Sequence, residues 1–295
     1  MKILITGGSG LLGQYLNIEL SKKHKILTQF NQHEGNCKDF NSIQLSITDF
    51  NKLEATLKTF KPDVVVHTAA VSNPERADAL AANVVYEINV NATKNLAVLC
   101  KNYNAKLIYT STDLVYAGYR GSMLKEDAKL IPVSLYAETK LMGEIKTQEI
   151  FDNYLILRVP LQIGIALNHT TNNFHKMYLN LKDGKQVKLY IDQYRTPLAL
   201  HETARIISEV LEKNINAEII NLACSERVSR FQLGEILCEV AGFNKNLLIP
   251  SKMEDDHSKS YKVADVSLSN EKLKSFGIFP KPIRQMIEES LTFSS

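Results

Sequence analysis

The chain has 295 residues, 44% of them hydrophobic and 23% charged, with a formal net charge of +3. Those proportions suit a soluble globular protein with a full core, and the length predicts one large domain plus a smaller lobe. A charge this small, without a concentrated Lys/Arg block, gives no argument for a nucleic-acid partner, and no apolar run approaches membrane-spanning length.

The first stretch, Lys2 to Gly13, reads K-I-L-I-T-G-G-S-G-L-L-G. A strand-like run enters a glycine turn that opens an amphipathic helix over Leu11 to Lys22, the start of a βαβ dinucleotide-binding unit. Gly7, Gly10 and Gly13 give a tight turn, a close backbone approach to a pyrophosphate and a close helix-to-strand contact. Leu11 and Leu12 open the helix, whose free N–H groups and positive dipole end face the phosphates. Because the strand begins at once, no room is left for a signal peptide, and the expected compartment is the cytoplasm.

Further elements follow in alternation: strands at Lys25 to Phe30, Ile43 to Ile47 and Val64 to His67, with a helix at Asp49 to Phe60 and a stop at Lys61-Pro62-Asp63. A long helix is predicted over Asn83 to Tyr103, then a strand at Lys106 to Thr110, a helix at Ser134 to Asp152 and a strand at Tyr154 to Arg158. Strict β/α alternation predicts an α/β fold, a doubly wound parallel (Rossmann) sheet with ligands at the carboxyl ends of its strands. Residues 1–160 read as the dinucleotide-binding domain with the catalytic residues, and 161–295 as mostly a smaller C-terminal substrate-binding lobe. In that lobe Lys188 to Ile191 is strand-like, Ala199 to Lys213 and Arg230 to Ala241 are helical, and Glu218 to Leu222 is a candidate to rejoin the main sheet. The four cysteines, Cys37, Cys100, Cys224 and Cys238, have wide spacing without C-x-x-C and read as reduced thiols rather than a metal site. No metal is expected; His169, His175 and His201 have no metal-like partner spacing and read as solvated.

Two segments carry the chemistry. Tyr109 to Tyr116, Y-T-S-T-D-L-V-Y, ends a strand, and Tyr136-Ala137-Glu138-Thr139-Lys140 lies on the next helix. A spacing of four puts Tyr136 and Lys140 one turn apart on one face, where a Lys ammonium lowers the phenol's pKa from about 10. Such a tyrosine exchanges a proton with a carbonyl oxygen or alcohol while hydride moves to or from a nicotinamide, and Thr112 holds the substrate oxygen.

With the glycine turn, the S-T strand end and Y-x-x-x-K in order, the chain resembles the extended short-chain dehydrogenase/reductase family over essentially its full length. His67-Thr68-Ala69-Ala70 resembles the family's turn beside the cofactor, carried here by Thr68, Ala69 and Ala70. Tyr86 to Leu96 resembles its N-V-x-G-T-x-N-L helix, so the resemblance makes Asn89 a residue that shapes the active site and contacts the cofactor. Asp192 to Pro197, D-Q-Y-R-T-P, is similar to a segment of the dTDP-4-dehydrorhamnose reductase-like subgroup, as are Leu157-Arg158 to Gly164 and Val266 to Ser269. By the same resemblance Arg195 holds a diphosphate, Asn173 lines the nucleotide pocket, and Ser46 and Ile47 touch adenine.

Leu114 stands where dehydratases of the family carry an acid, which removes most of the case for water elimination. Asp113 stays open to two readings, a cap of the strand-end loop or a proton-transfer group. NAD-preferring sheets place a carboxylate at the end of the second strand, but this chain has Thr28-Gln29-Phe30-Asn31-Gln32. With Asn31 there, NADP(H) is favoured over NAD(H), although no arginine replaces the acid. The resemblance implies a reductase of a 4-keto-6-deoxy sugar nucleotide, a small-molecule partner and a homodimer. It leaves two alternatives: a non-catalytic NADP-binding regulatory subunit resembling the methionine adenosyltransferase beta subunit, and an epimerase or reductase of another sugar nucleotide. Arg195-Thr196-Pro197-Leu198, Ile163-Gly164 and Lys262-Val263 depart from the subgroup's pattern and bear on which sugar is bound.

Overall fold

The computed structural model describes residues 1–256 and 262–293. Six strands come first: β1 (Lys2–Thr6), β2 (Lys25–Phe30), β3 (Ser42–Gln44), β4 (Val64–His67), β5 (Lys106–Thr112) and β6 (Tyr154–Val159). Shorter ones follow: β7 (Gln162–Ile163), β8 (Val187–Tyr190), β9 (Tyr194–Arg195), β10 (Leu198–Ala199), β11 (Glu218–Asn221), β12 (Val228–Ser229) and β13 (Leu248–Ser251). The helices are α1 (Leu11–Leu20), α2 (Phe50–Phe60), α3 (Pro74–Asp78), α4 (Ala82–Tyr86), α5 (Ala92–Asn102), α6 (Leu135–Ile150), α7 (Asn173–Lys182), α8 (Leu200–Leu211), α9 (Arg230–Ala241), α10 (Glu271–Ser275) and α11 (Ile283–Thr292).

The main sheet runs β11-β6-β5-β4-β1-β2-β3, parallel at every pairing. Strand order reverses between β1 and β4, so the chain leaves these two neighbours in opposite directions and opens a crevice at their carboxyl ends. Side-chain alternation covers both faces: Ile3 and Ile5 pack with Leu16 of α1 and Ile207 of α8, while Leu4 packs on the other side with Leu53 of α2 and Leu96 of α5. The segment expected to rejoin the sheet does so, since β11 pairs with β6. Three two-stranded pairs, β7 with β10, β9 with β12 and β8 with β13, lie outside the sheet. No helix among the described residues is long and apolar enough to cross a membrane.

Three departures from the sequence expectation have a local cause. The edge strand β3 ends at Gln44 rather than Ile47, because the Ser46 hydroxyl pairs with that of Thr48 (2.8 Å) and turns the chain into α2, capped by Asp49. The helix expected over Asn83 to Tyr103 forms without a gap, but it contains a π turn at Glu87–Asn91, where the Asn89 carbonyl accepts from Thr93 Oγ1 (2.8 Å). β5 extends two residues further than expected, to Thr112, because Ser111 and Thr112 continue the pairing to Arg158 and Val159.

A buried ion pair fixes α6 on the sheet. Arg158 of β6 grips Glu144 of α6 in a fork, Nε to Oε1 at 3.1 Å and Nη2 to Oε2 at 2.8 Å, with both side chains 1% exposed. Its Nη1 donates to the Tyr116 hydroxyl at 2.6 Å and the Glu126 carbonyl at 2.9 Å. Removing one member leaves the other charge buried, so Arg158→Met is expected to cost about 3–5 kcal/mol in urea denaturation. A loss below about 1 kcal/mol would mean Glu144 finds water or another partner.

Candidate active site

A cleft of about 980 Å³ opens at the carboxyl ends of β1, β2, β4, β5 and β6. Its floor is the glycine turn, where the Gly10 amide donates to the Gly7 carbonyl at 2.9 Å. Gly7 has φ +70, and a Cβ there would lie 2.7 Å from the Ala69 amide nitrogen; a Cβ on Gly13 would meet the Gly7 carbonyl oxygen at 2.1 Å. Only glycine lets α1 and the turn after β4 approach this closely. Gly7, Gly10, Leu11, Leu12, Gly13, Thr68, Ala69 and Ala70 all line the cleft, as do Asn31 at the end of β2 and Ser46 and Ile47 beyond β3. At the β2 end the wall consists of Gln29, Asn31, Gln32 and His33. This cradle of unsubstituted backbone at a helix N-terminus fits a dinucleotide pyrophosphate, and a wall without a carboxylate at that end accommodates a ribose phosphate.

Asn89 is a correction. Read from the sequence as a cofactor contact, it is 1% exposed and stands behind the cleft wall. Its side chain accepts from the Val71 amide (2.8 Å) and donates to the Val71 carbonyl (3.2 Å) and Thr139 Oγ1 (3.0 Å). The π turn carries it inward, where it ties the loop after β4 to α6.

Thr112, Tyr136 and Lys140 meet at the end of β5. Ser134 caps α6 through the Ala137 amide (3.2 Å) and so sets Tyr136 in the first turn. The Tyr136 phenol and Thr112 line the same end of the cleft, and Thr112 Oγ1 donates to Asp113 Oδ1 (3.1 Å) and accepts from the Leu114 amide (3.2 Å). Burial, reinforced by Asp113, holds the phenol well above its ordinary 10. The sequence expectation was the reverse, a phenol lowered by Lys140. That amine instead lies 4.2 Å from the centroid of the Tyr109 ring and is itself pushed down to about 7 by burial, with Glu144 opposing. Burial thus outweighs the charge that the four-residue spacing brings near.

Behind Lys140, His67 is pushed down to about 3 by burial and then by Lys140, and is neutral at neutral pH. Its Nε2 contacts Thr93 Oγ1 (3.0 Å), whose proton goes to the Asn89 carbonyl, so Nε2 is the donor and Nδ1 accepts from Thr6 Oγ1 (2.7 Å).

Both expected substrate residues, Asn173 and Arg195, line the cleft. Arg195 is committed internally, however: Nη1 donates to the Tyr194 carbonyl (2.6 Å), Nη2 to that of Val263 (3.2 Å), and Nε lies 3.7 Å from Asp113 Oδ2. Asp113 is buried and its carboxyl is raised by that burial, with Arg195 opposing. Sequence reasoning missed Arg230, the first residue of α9, which lines the cleft and donates from Nε to Gln193 Oε1 (2.9 Å). The readable signal was the Ser229/Gln232 capping box, which fixes where α9 starts. Of the histidines expected to be solvated, His201 instead pairs with Glu289 at 3.0 Å and His175 Nδ1 accepts from the Ala166 amide at 3.3 Å, both half-buried.

A family model described as the RmlD substrate binding domain matches residues 1–294. A dTDP-4-dehydrorhamnose reductase of Aggregatibacter actinomycetemcomitans is 28% identical over 220 residues, 74% of this chain and 70% of that protein. Methionine adenosyltransferase 2 subunit beta of Pongo abelii is 26% identical over 98% of this chain and 87% of its own length. Among solved structures, a dTDP-4-dehydrorhamnose reductase from Clostridium acetobutylicum superposes with a TM-score of 0.84 at 25% identity, covering 100% of this chain and 99% of that one.

Proposed function

The chain belongs to the RmlD substrate binding domain family, a branch of the extended short-chain dehydrogenase/reductases, and on that premise we propose that it is an NADP(H)-dependent reductase of a 4-keto-6-deoxy sugar nucleotide of the dTDP kind. The observation that carries this is the meeting of Thr112, Tyr136 and Lys140 beside the glycine cradle, with Leu114 where dehydration would need a proton carrier.

When bound, the nicotinamide supplies hydride to the keto carbon. The Thr112 hydroxyl turns from Asp113 to the keto oxygen and orients it, and Tyr136 gives that oxygen its proton. A phenol that burial keeps protonated is in the form a donor needs, which favours the reducing direction. Lys140, one turn further along α6, supplies the positive charge that stabilises the phenolate left behind. Arg230 and Lys176, both on the cleft wall, offer donors to the diphosphate, and Asn173 faces the nucleotide. Binding energy from these remote groups positions the reacting carbon. A homodimer and a cytoplasmic compartment belong to the same proposal and are supported by the family resemblance alone.

A second reading, a non-catalytic regulatory subunit, draws on the 26% identity to the methionine adenosyltransferase subunit across 98% of the chain. Incubation with NADPH and a freshly made dTDP-4-keto-6-deoxy sugar separates the two. The reductase reading expects steady NADPH consumption. Bound but unconsumed NADPH, together with altered kinetics of an added methionine adenosyltransferase, would overturn it.

A further inference from the structure

The sequence offers no arginine at the end of β2 to hold a ribose phosphate, yet the fold brings two imidazoles there. His33, three residues past β2, and His169, in the loop between β7 and α7, lie with ring centroids 4.8 Å apart and planes tilted by 38°. Both rings line the cleft, at the end also walled by Ser9 and Asn31. Among the described residues, neither ring has a hydrogen-bond partner.

Their meeting is built rather than incidental. Gln14 of α1 holds the 167–170 segment: its Nε2 donates to the Leu167 carbonyl (3.1 Å), and its Oε1 accepts from Asn168 Nδ2 (2.5 Å). The same Oε1 accepts from the Asn36 amide (3.2 Å), in the segment that follows His33. One buried side chain therefore sets both loops, and with them both histidines.

We propose that His33 and His169 together bind the 2′-phosphate of NADP(H) and so set the preference for the phosphorylated cofactor. Each imidazole has an N–H to offer phosphate oxygens from its own side of the cleft, and hydrogen bonds to an ionised acceptor are the strong kind. Two donors from segments far apart in sequence replace the single arginine that other sheets place on β2. The assignment rests on the reading of the cleft as a dinucleotide site.

The test titrates 2′,5′-ADP and 5′-AMP into the full chain by calorimetry, with dTDP as a control for the substrate end. The expected result is tighter binding of 2′,5′-ADP by about tenfold or more in the wild type. In His33→Asn/His169→Asn that preference falls to about twofold or less, while dTDP binding and melting temperature stay unchanged because both side chains are exposed. His33→Arg/His169→Asn should restore it. A preference that survives in the double variant overturns the assignment and leaves the cofactor reading standing. Failure of both adenosine probes to bind the wild type overturns the cofactor reading and the assignment with it. A loss shared equally by dTDP would place the histidines at the sugar-nucleotide diphosphate instead and equally overturn the assignment.

Discussion

Tyr136→Phe should lower kcat by about 10³-fold while leaving NADPH affinity within about threefold of wild type. The substitution keeps the ring, which is packed with Val71, Ala77 and Val85, and removes the phenol hydroxyl that lines the cleft together with Thr112. Thr112 Oγ1 retains the Asp113 carboxylate and the Leu114 amide, so no buried group loses its last partner and stability should change by less than about 1 kcal/mol. Steady-state kinetics with the 4-keto substrate, set beside NADPH titration of the same variant, reads both quantities. A variant that keeps more than about a tenth of wild-type kcat would remove Tyr136 from the role of proton donor.

Lys140→Met should abolish most turnover, by about 10²-fold or more, and at the same time make the protein more stable at pH 7. The side chain is 3% exposed, and burial pushes its amine from 10.5 to about 7 in the fold. Between those two values the unfolded chain binds a proton that the folded one does not, so wild-type stability rises with pH across that window. Below about 7 the folded state carries the full penalty of a buried ammonium. Methionine removes the penalty, offset in part by the lost contact with the Tyr109 ring, for an expected gain of about 2–4 kcal/mol at pH 7 that shrinks toward zero near pH 10. Urea denaturation of both proteins at the two pH values checks the slope. Equal stability at both would mean that the amine is solvated in the fold.

What was legible in the sequence was local. The run from Lys2 to Gly13 announces its own strand, turn and helix because strand character, glycine freedom and helix start fall within one short window, and Tyr136 and Lys140 share a face by helical arithmetic alone. Burial was not legible, because it is set by residues far along the chain. Spacing alone therefore gave the Lys140–Tyr136 relation the wrong sign: the dominant influence on each group is lost solvation, not the other's charge. The same limit explains Asn89, which a π turn takes out of the cleft into a bond with Thr139, and Arg195, whose donors are spent on carbonyls supplied by Val263 and its own neighbour. Arg230 and the pairing of His33 with His169 belong to the tertiary fold alone. Edge-placed β3 ends short of its expected bound because a strand's pattern does not show where a serine hydroxyl turns the chain.

The central claim, that this fold delivers hydride to a keto carbon of a sugar nucleotide, is tested most directly by turnover with NADPH deuterated at the transferable position. NMR of the product from a dTDP-4-keto-6-deoxy sugar should show deuterium at C4 and a new hydroxyl there, in one-to-one yield with the NADP produced. Cofactor that binds yet leaves the sugar unlabelled, or label at a carbon other than C4, would contradict the account.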